Sequence, residues 1–253
     1  MSIRASENSK LVYLITGGSS GLGKAAAIGL LKSGWKVAVL DIQSPVDEYL
    51  AKFENNALFI KADVSSEKDV SNALAIVKEK FGKINGIVNC AGVFAAGSIY
   101  DSKNKNPHSL ELFTKIIQVN LIGTFNVTRL AIPLILGNEP NNDGERGIVI
   151  NTSSITGLDG APGNIAYSVS KAAVAGMTKP LAKELSDLGI RVVDIAPGLF
   201  ETPLTEGVAL GTLQYVFPKR AGRPEEFAEL VKAIINLPVL NGTTIRLDSA
   251  QTI

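Results

Sequence analysis

Apolar and polar positions along this chain alternate between two periods. Seven short runs rich in branched apolar residues read as strands: Leu11 to Ile15, Trp35 to Leu40, Ala57 to Val64, Ile84 to Asn89, Ile148 to Thr152, Ile190 to Ala196 and Thr243 to Leu247. Between them, apolar residues recur at the three- and four-residue intervals of a helix. The pattern covers Lys24 to Leu31, then Glu67 to Phe81 with Val70, Ala73, Leu74 and Val77 on one face. It continues from Ser109 to Leu136, along a segment containing Tyr167 that ends near Gly189, and from Glu225 to Asn236. Strands and helices alternate without a linker, repeat or low-complexity break. That order predicts an α/β fold: a single-domain, Rossmann-type doubly wound parallel sheet of about seven strands with right-handed crossover helices. At 253 residues one such domain accounts for the whole chain. Three segments lie outside the alternation: an N-terminal extension over 1–10, an insertion over 95–109 and a loop over 198–222 expected on the substrate side.

Two helices carry more apolar surface than one sheet can cover. Leu112, Phe113, Ile116, Ile117, Val119, Leu121, Ile122 and Phe125 surround the first, and Ala172 to Met177 thicken the Tyr167 helix. A helix apolar on every face has both faces covered, so a second subunit is expected there. No uninterrupted apolar run reaches the roughly 18 residues of a membrane span, and the first ten residues lack an apolar signal core. With a net charge of +1 and scattered basic residues, the chain has no nucleic-acid footprint. One cysteine excludes an intrachain disulfide framework and suits a reducing compartment. The expectation is a cytoplasmic protein, or a mitochondrial-matrix one if the source is eukaryotic, with neither membrane nor nucleic acid as partner.

Candidate chemistry begins where the first strand runs into Thr16-Gly17-Gly18-Ser19-Ser20-Gly21-Leu22-Gly23 and then a helix. In this order Gly17 permits a tight turn, Gly21 lets backbone approach a phosphate, and Gly23 allows close packing of the helix, whose N-terminal amides attract an anion. The second strand ends in Asp41, about 20 residues on, where a carboxylate binds the ribose diol of a dinucleotide and repels a 2′-phosphate. No Lys or Arg lies within the loop or directly after Asp41, so the expected cofactor is NAD.

Tyr167 and Lys171 stand four residues apart and share a helix face. An ammonium beside a phenol favours the phenolate and brings an ordinary tyrosine pKa of about 10 toward the working range of an acid/base group. Ser154, ending the strand-like run before that helix, is placed to present a hydroxyl to a substrate oxygen. With one His and one Cys, a zinc site built on those residues is not available. His108, beside Pro107 in the polar insertion, reads as a surface or capping residue, and Cys90 as a small cleft-lining side chain.

Together these residues resemble the short-chain dehydrogenase/reductase family from Leu11 to Ala250. The marks are Thr16-Gly17-x-x-x-Gly21-x-Gly23, Asp63-Val64, Asn89-Cys90-Ala91-Gly92, Asn120, Ser154, Tyr167-x-x-x-Lys171 and Pro197-Gly198. The resemblance implies that Tyr167 is the acid/base, that Lys171 lowers its pKa and holds the nicotinamide ribose, and that Ser154 polarises the substrate oxygen. It further implies that Asn120 anchors a water beside Lys171, that Asp63 and Val64 bracket the adenine, and that Asn89 to Gly92 line the cleft. Thr202 would contact the carboxamide, with Ser20, Leu22, Pro197, Gly198 and Phe200 completing the cofactor site. Within the family, the 95–109 insertion, Gly137 to Pro140, Ile195 to Leu204 and Leu240 to Gly242 are similar to the type 2 3-hydroxyacyl-CoA dehydrogenase branch, also known as type 10 17β-hydroxysteroid dehydrogenases. This implies oxidation of a 3-hydroxyacyl-CoA by a homotetramer. A 3-oxoacyl carrier-protein reductase, a hydroxysteroid or small-alcohol dehydrogenase, and a nucleotide-sensing scaffold are the alternatives. Ser249 departs from the family, which commonly has glycine there.

Overall fold

The computed structural model describes residues 11–45, 47–206 and 215–251. The N-terminal extension, and residues 207–214 of the substrate-side loop, lie outside the described residues.

Seven strands form the main sheet: β1 (Val12–Thr16), β2 (Lys36–Asp41), β3 (Ala57–Lys61), β4 (Gly86–Asn89), β7 (Gly147–Thr152), β8 (Ile190–Pro197) and β9 (Thr244–Leu247). Their order is β3-β2-β1-β4-β7-β8-β9, with every pairing parallel. The order reverses at β1, so a crevice opens beyond the carboxyl ends of β1 and β4. Successive residues of β1 serve the two sides of the sheet: Leu14 packs with Val70, Val77 and Val127, and Ile15 with Leu30, Ile150 and Phe227.

The helices follow the sequence pattern closely. Helix α1 (Gly21–Lys32) leaves the glycine turn, and α2 (Glu67–Phe81) starts at Ser66, whose hydroxyl accepts the Asp69 N–H. It ends at Gly82, whose φ of 77° is the left-handed stop that glycine favours. Strand readings shift by a few residues: Asp63 and Val64 fall beyond β3 in a loop, and β4 begins at Gly86 rather than Ile84.

The helix expected from Ser109 to Leu136 is interrupted in its winding. It comprises α3 (Leu110–Ile117), a π turn (Gln118–Gly123) and α4 (Thr124–Leu136), with Ser109 as N-cap, accepting the Leu112 N–H. By length and composition this continuous helical stretch is apolar enough to cross a bilayer. Its packing explains that apolarity. Ile116, Val127, Ala131 and Ile135 are fully buried, while the buried Asn120, Thr124, Asn126 and Thr128 all hydrogen-bond within the protein. On the outer side Ile122 and Phe125 stay exposed, as do Ile165 and Val169 on α6 (Ile165–Glu184).

A short antiparallel hairpin, β5 (Tyr100–Asp101) and β6 (Asn106–Pro107), forms within the insertion and was not expected from its polar composition. It is docked beside the start of α6, where the Gly97 N–H donates to the Gly163 carbonyl. His108 packs against Gly97; the capping role next to it belongs to Ser109 alone. A short helix α5 (Ile155–Asp159) follows β7, and α7 (Pro224–Asn236) packs on α1.

Candidate active site

The strand ends converge on a cleft of about 610 Å³. One end is the glycine turn: Gly17, Ser20, Gly21, Leu22 and Gly23 line it, with Asp41 at the tip of β2 and Asp63 and Val64 beyond β3. The turn is crowded enough to demand glycine. Gly17 and Gly21 have φ of 67° and 52°, and a Cβ at Gly23 would stand 2.3 Å from the Gly17 carbonyl oxygen. Ser20, the N-cap of α1, makes no side-chain cap hydrogen bond, so the first amides of the helix face the cleft without a side-chain acceptor. These residues suit a pyrophosphate. Two main-chain donors fix the Asp41 carboxylate, with Oδ2 accepting the Ser19 N–H at 3.0 Å and Oδ1 the Gln43 N–H at 3.1 Å.

At the other end lie Cys90, Ala91, Gly92, Ser154, Tyr167, Lys171, Pro197, Gly198, Phe200 and Thr202. Tyr167 opens into the cleft with its ring edge-on to Phe94, centroids 5.1 Å apart. It sits deep enough that burial pushes its phenol up to about 12, and the Ser154 hydroxyl pulls the other way. Burial is the larger of the two effects, so the phenol lies above the ordinary tyrosine value. Lys171 is itself 5% exposed, and burial draws its ammonium down to about 8 against the opposing pull of Asp194. Its Nζ lies 5.8 Å from the Tyr167 ring centroid and donates to the Thr152 carbonyl at 2.8 Å.

Two expected residues stand behind the cleft wall. Asn89 is buried, donating to Thr128 Oγ1 and Asn151 Oδ1. Asn120, in the π turn, accepts the Val93 N–H through Oδ1 and donates to the Val93 carbonyl and Ser170 Oγ. A Cβ built on Gly92 would meet Asn120 Oδ1 at 3.3 Å and Lys171 Nζ at 3.5 Å, so the two groups converge on the space that a side chain there would fill. Burial pushes the Cys90 thiol up to about 11, which disfavours its thiolate.

Some lining residues escaped the sequence reading. Lys115 and Val119 face the cleft one helical turn apart, an i, i+4 signal that was legible but masked by the many apolar residues around it. Thr152 contributes a backbone carbonyl, which no side-chain pattern announces.

Residues 11–211 match the family model described as short chain dehydrogenase. The human protein named 3-hydroxyacyl-CoA dehydrogenase type-2 is 47% identical over 246 residues, covering 95% of this chain and 94% of its own. A crystal structure of 3-hydroxyacyl-CoA dehydrogenase type-2 from Mycobacterium avium superposes with a TM-score of 0.91 at 34% identity, covering 98% of both chains. A 3-ketoacyl-(acyl-carrier-protein) reductase from Brucella melitensis, complexed with NADH, superposes with a TM-score of 0.84 at 29% identity over 95% of this chain and 97% of its own. Sheet order, glycine turn and Tyr-Lys pair thus agree with the sequence match, and the chain belongs to the short-chain dehydrogenase/reductase family, as an oxidoreductase that uses a nicotinamide cofactor.

Proposed function

We propose that this protein catalyses the reversible NAD-linked oxidation of a 3-hydroxyacyl-CoA to the 3-oxoacyl-CoA. The observation that carries the reading is the meeting of Ser154, Tyr167 and Lys171 in the cleft that also holds the glycine turn and Asp41. Identity of 47% to a human protein named for this reaction supports the substrate class.

When bound, the oxidised nicotinamide supplies a hydride-accepting carbon and a positive charge. The remaining work falls to the chain. Tyr167 removes the hydroxyl proton during oxidation and returns it during reduction, and Ser154 steadies the substrate oxygen as it becomes a carbonyl. A phenol held near 12 needs added positive charge to ionise near neutrality, and the Lys171 ammonium on the same helix is the chain's own source of it. Asn120 and Lys171, whose polar atoms both approach the same side of Gly92, are suited to hold a water near them for proton exchange with solvent.

Asp41 favours NAD because its carboxylate pairs with a ribose diol and repels a phosphate. Lys24, one residue past the glycine turn, offers no counter-charge, since Asp47 engages it at 2.6 Å. The exposed apolar residues Ile122, Phe125, Ile165 and Val169 support a homo-oligomer, and we read it as a tetramer in the cytoplasm, or in the mitochondrial matrix of a eukaryote.

A steady-state screen of NAD and NADP against 3-hydroxyacyl-CoA esters, hydroxysteroids and short secondary alcohols tests the proposal. NAD with a 3-hydroxyacyl-CoA should give the highest kcat/KM. Preference for NADP would favour a carrier-protein reductase, and preference for a free alcohol or steroid would replace the substrate class.

A further inference from the structure

The reaction centre rests on a buried acid that the chemistry above does not use. Asp194, on β8, has no exposed surface, and its strand neighbours Val193 and Ile195 are equally buried and apolar. Its Oδ1 accepts the main-chain N–H of Ser153 at 2.9 Å, and its Oδ2 accepts the Ser153 hydroxyl at 2.6 Å. From β9, the Thr244 hydroxyl also bonds the carboxylate.

Ser153 is the midpoint of the segment that builds the site. On one side is Thr152, whose carbonyl seats the Lys171 ammonium, and on the other is Ser154. The acid that grips Ser153 therefore controls the separation between those two groups. Lys171, reaching in from α6, is the charged group whose field the carboxylate feels, while Ser153, just past β7, and Thr244, at the start of β9, reach it with neutral hydroxyls. Removing an acid from water this completely is costly unless every oxygen is matched. Burial pushes the carboxyl up to about 6, with the hydrogen bonds and Lys171 opposing. A charge retained against that cost, in a strand where an apolar residue would pack, points to a use.

We propose that Asp194 is a positioning residue: by holding both donors of Ser153 it fixes the Thr152-Ser153-Ser154 segment, and with it the Thr152 carbonyl that seats the Lys171 ammonium. The inference rests on the proposed role of Ser154 and Lys171 but not on the identity of the alcohol.

Asp194→Asn tests it, because the amide keeps the shape, can still accept the Ser153 N–H through its one oxygen, and removes the charge while presenting a donor in place of the other oxygen, to which the Ser153 hydroxyl can turn its lone pair. This variant should melt no lower than the wild type at neutral pH, yet lose about tenfold in kcat while KM for the alcohol changes less than about twofold. Loss of the neighbouring anion lowers the pH at which Lys171 releases its proton. The alkaline decline of activity should move to lower pH, and so should the alkaline decline of NADH affinity followed by fluorescence. Ser153→Ala, which removes one grip and keeps the charge, should reduce kcat severalfold without moving the NADH profile. Wild-type kcat and an unmoved NADH profile in Asp194→Asn would reduce the residue to packing and overturn the proposal. If the wild type oxidises no 3-hydroxyacyl-CoA, the functional reading fails, but the NADH titration still decides the role of Asp194.

Discussion

At the scale of single residues, the site is governed by what a Cβ, a carboxylate or a phenol can do where it stands. Gly23→Ala would force a methyl to within 2.3 Å of the Gly17 carbonyl. The turn must then move, and NADH affinity measured by fluorescence should fall at least about tenfold, or about 1.4 kcal/mol, with secondary structure unchanged. Asp41→Ala should narrow the ratio of kcat/KM for NAD over NADP by about tenfold or more, since it removes a diol partner and a like-charge repulsion together. A wild-type enzyme that already uses NADP as well as NAD would contradict that assignment. The pH dependence follows from the two shifts. Burial draws Lys171 down to about 8 and pushes Tyr167 up to about 12, so near neutrality Lys171 is still largely an ammonium while Tyr167 is a neutral phenol that must lose its proton to act as base. Alcohol oxidation should therefore rise as pH increases above neutrality, and ketone reduction should fall over the same range. The residues that carry this chemistry were legible because their spacing is local: Tyr167 and Lys171 share a helix turn, and the glycines share one loop. Asp194 and Thr152 were not, because their roles arise from the register of β7 on β8, which pairs Asn151 with Asp194 and Thr152 with Ile195.

At the scale of elements, the structure departs from the sequence pattern most in the long helix and in the insertion. Apolar periodicity from Ser109 to Leu136 gave a helix but not its π turn, because one extra residue in the winding shifts the apolar stripe without breaking it. That turn carries Asn120. The insertion gave a loop where the chain folds a hairpin, since two-residue strands leave no periodicity to detect. Lys103 and Lys105 are both exposed on it, and an acyl-CoA must leave a multiply charged nucleotide outside the cleft. Replacing both with glutamate should raise KM for a 3-hydroxyacyl-CoA severalfold and leave a small uncharged alcohol unaffected. Equal effects on both substrates would indicate general disruption instead. The departure at Ser249 also has a physical reading. Its φ of 56° lies in the left-handed region, where a non-glycine residue is strained by about 1–2 kcal/mol. Ser249→Gly should raise the unfolding free energy by up to about 1 kcal/mol, after the greater chain entropy of glycine is offset.

For the whole molecule, the doubly wound architecture was legible from alternation alone, down to the number of strands, because parallel strands buried on both faces read as continuous apolar runs. The apolar outer faces of α4 and α6 were legible too, though what covers them was not. Phe125→Asp should shift the mass measured by light scattering toward a smaller assembly if a second subunit sits there, and leave it unchanged if not. Buried charge also sets the stability profile. The folded pKa of Asp194, about 6, lies above its ordinary value of 3.8, so the native state binds the extra proton and stability falls as pH rises from about 4 to about 6. Asp194→Asn should match the wild type in urea unfolding near pH 4 and exceed it at pH 7 by up to about 3 kcal/mol. A variant less stable at both pH values would contradict the assigned burial cost.

We propose Tyr167 as the proton-transfer group of an NAD-linked oxidation, and NADH production from a 3-hydroxyacyl-CoA by wild type and Tyr167→Phe measures that role directly. The wild type should form NADH in step with ketone, while the variant should lose roughly 10²- to 10⁴-fold in kcat with NADH affinity nearly unchanged. A wild type that forms no NADH, or a variant that keeps more than about a tenth of its rate, would contradict it.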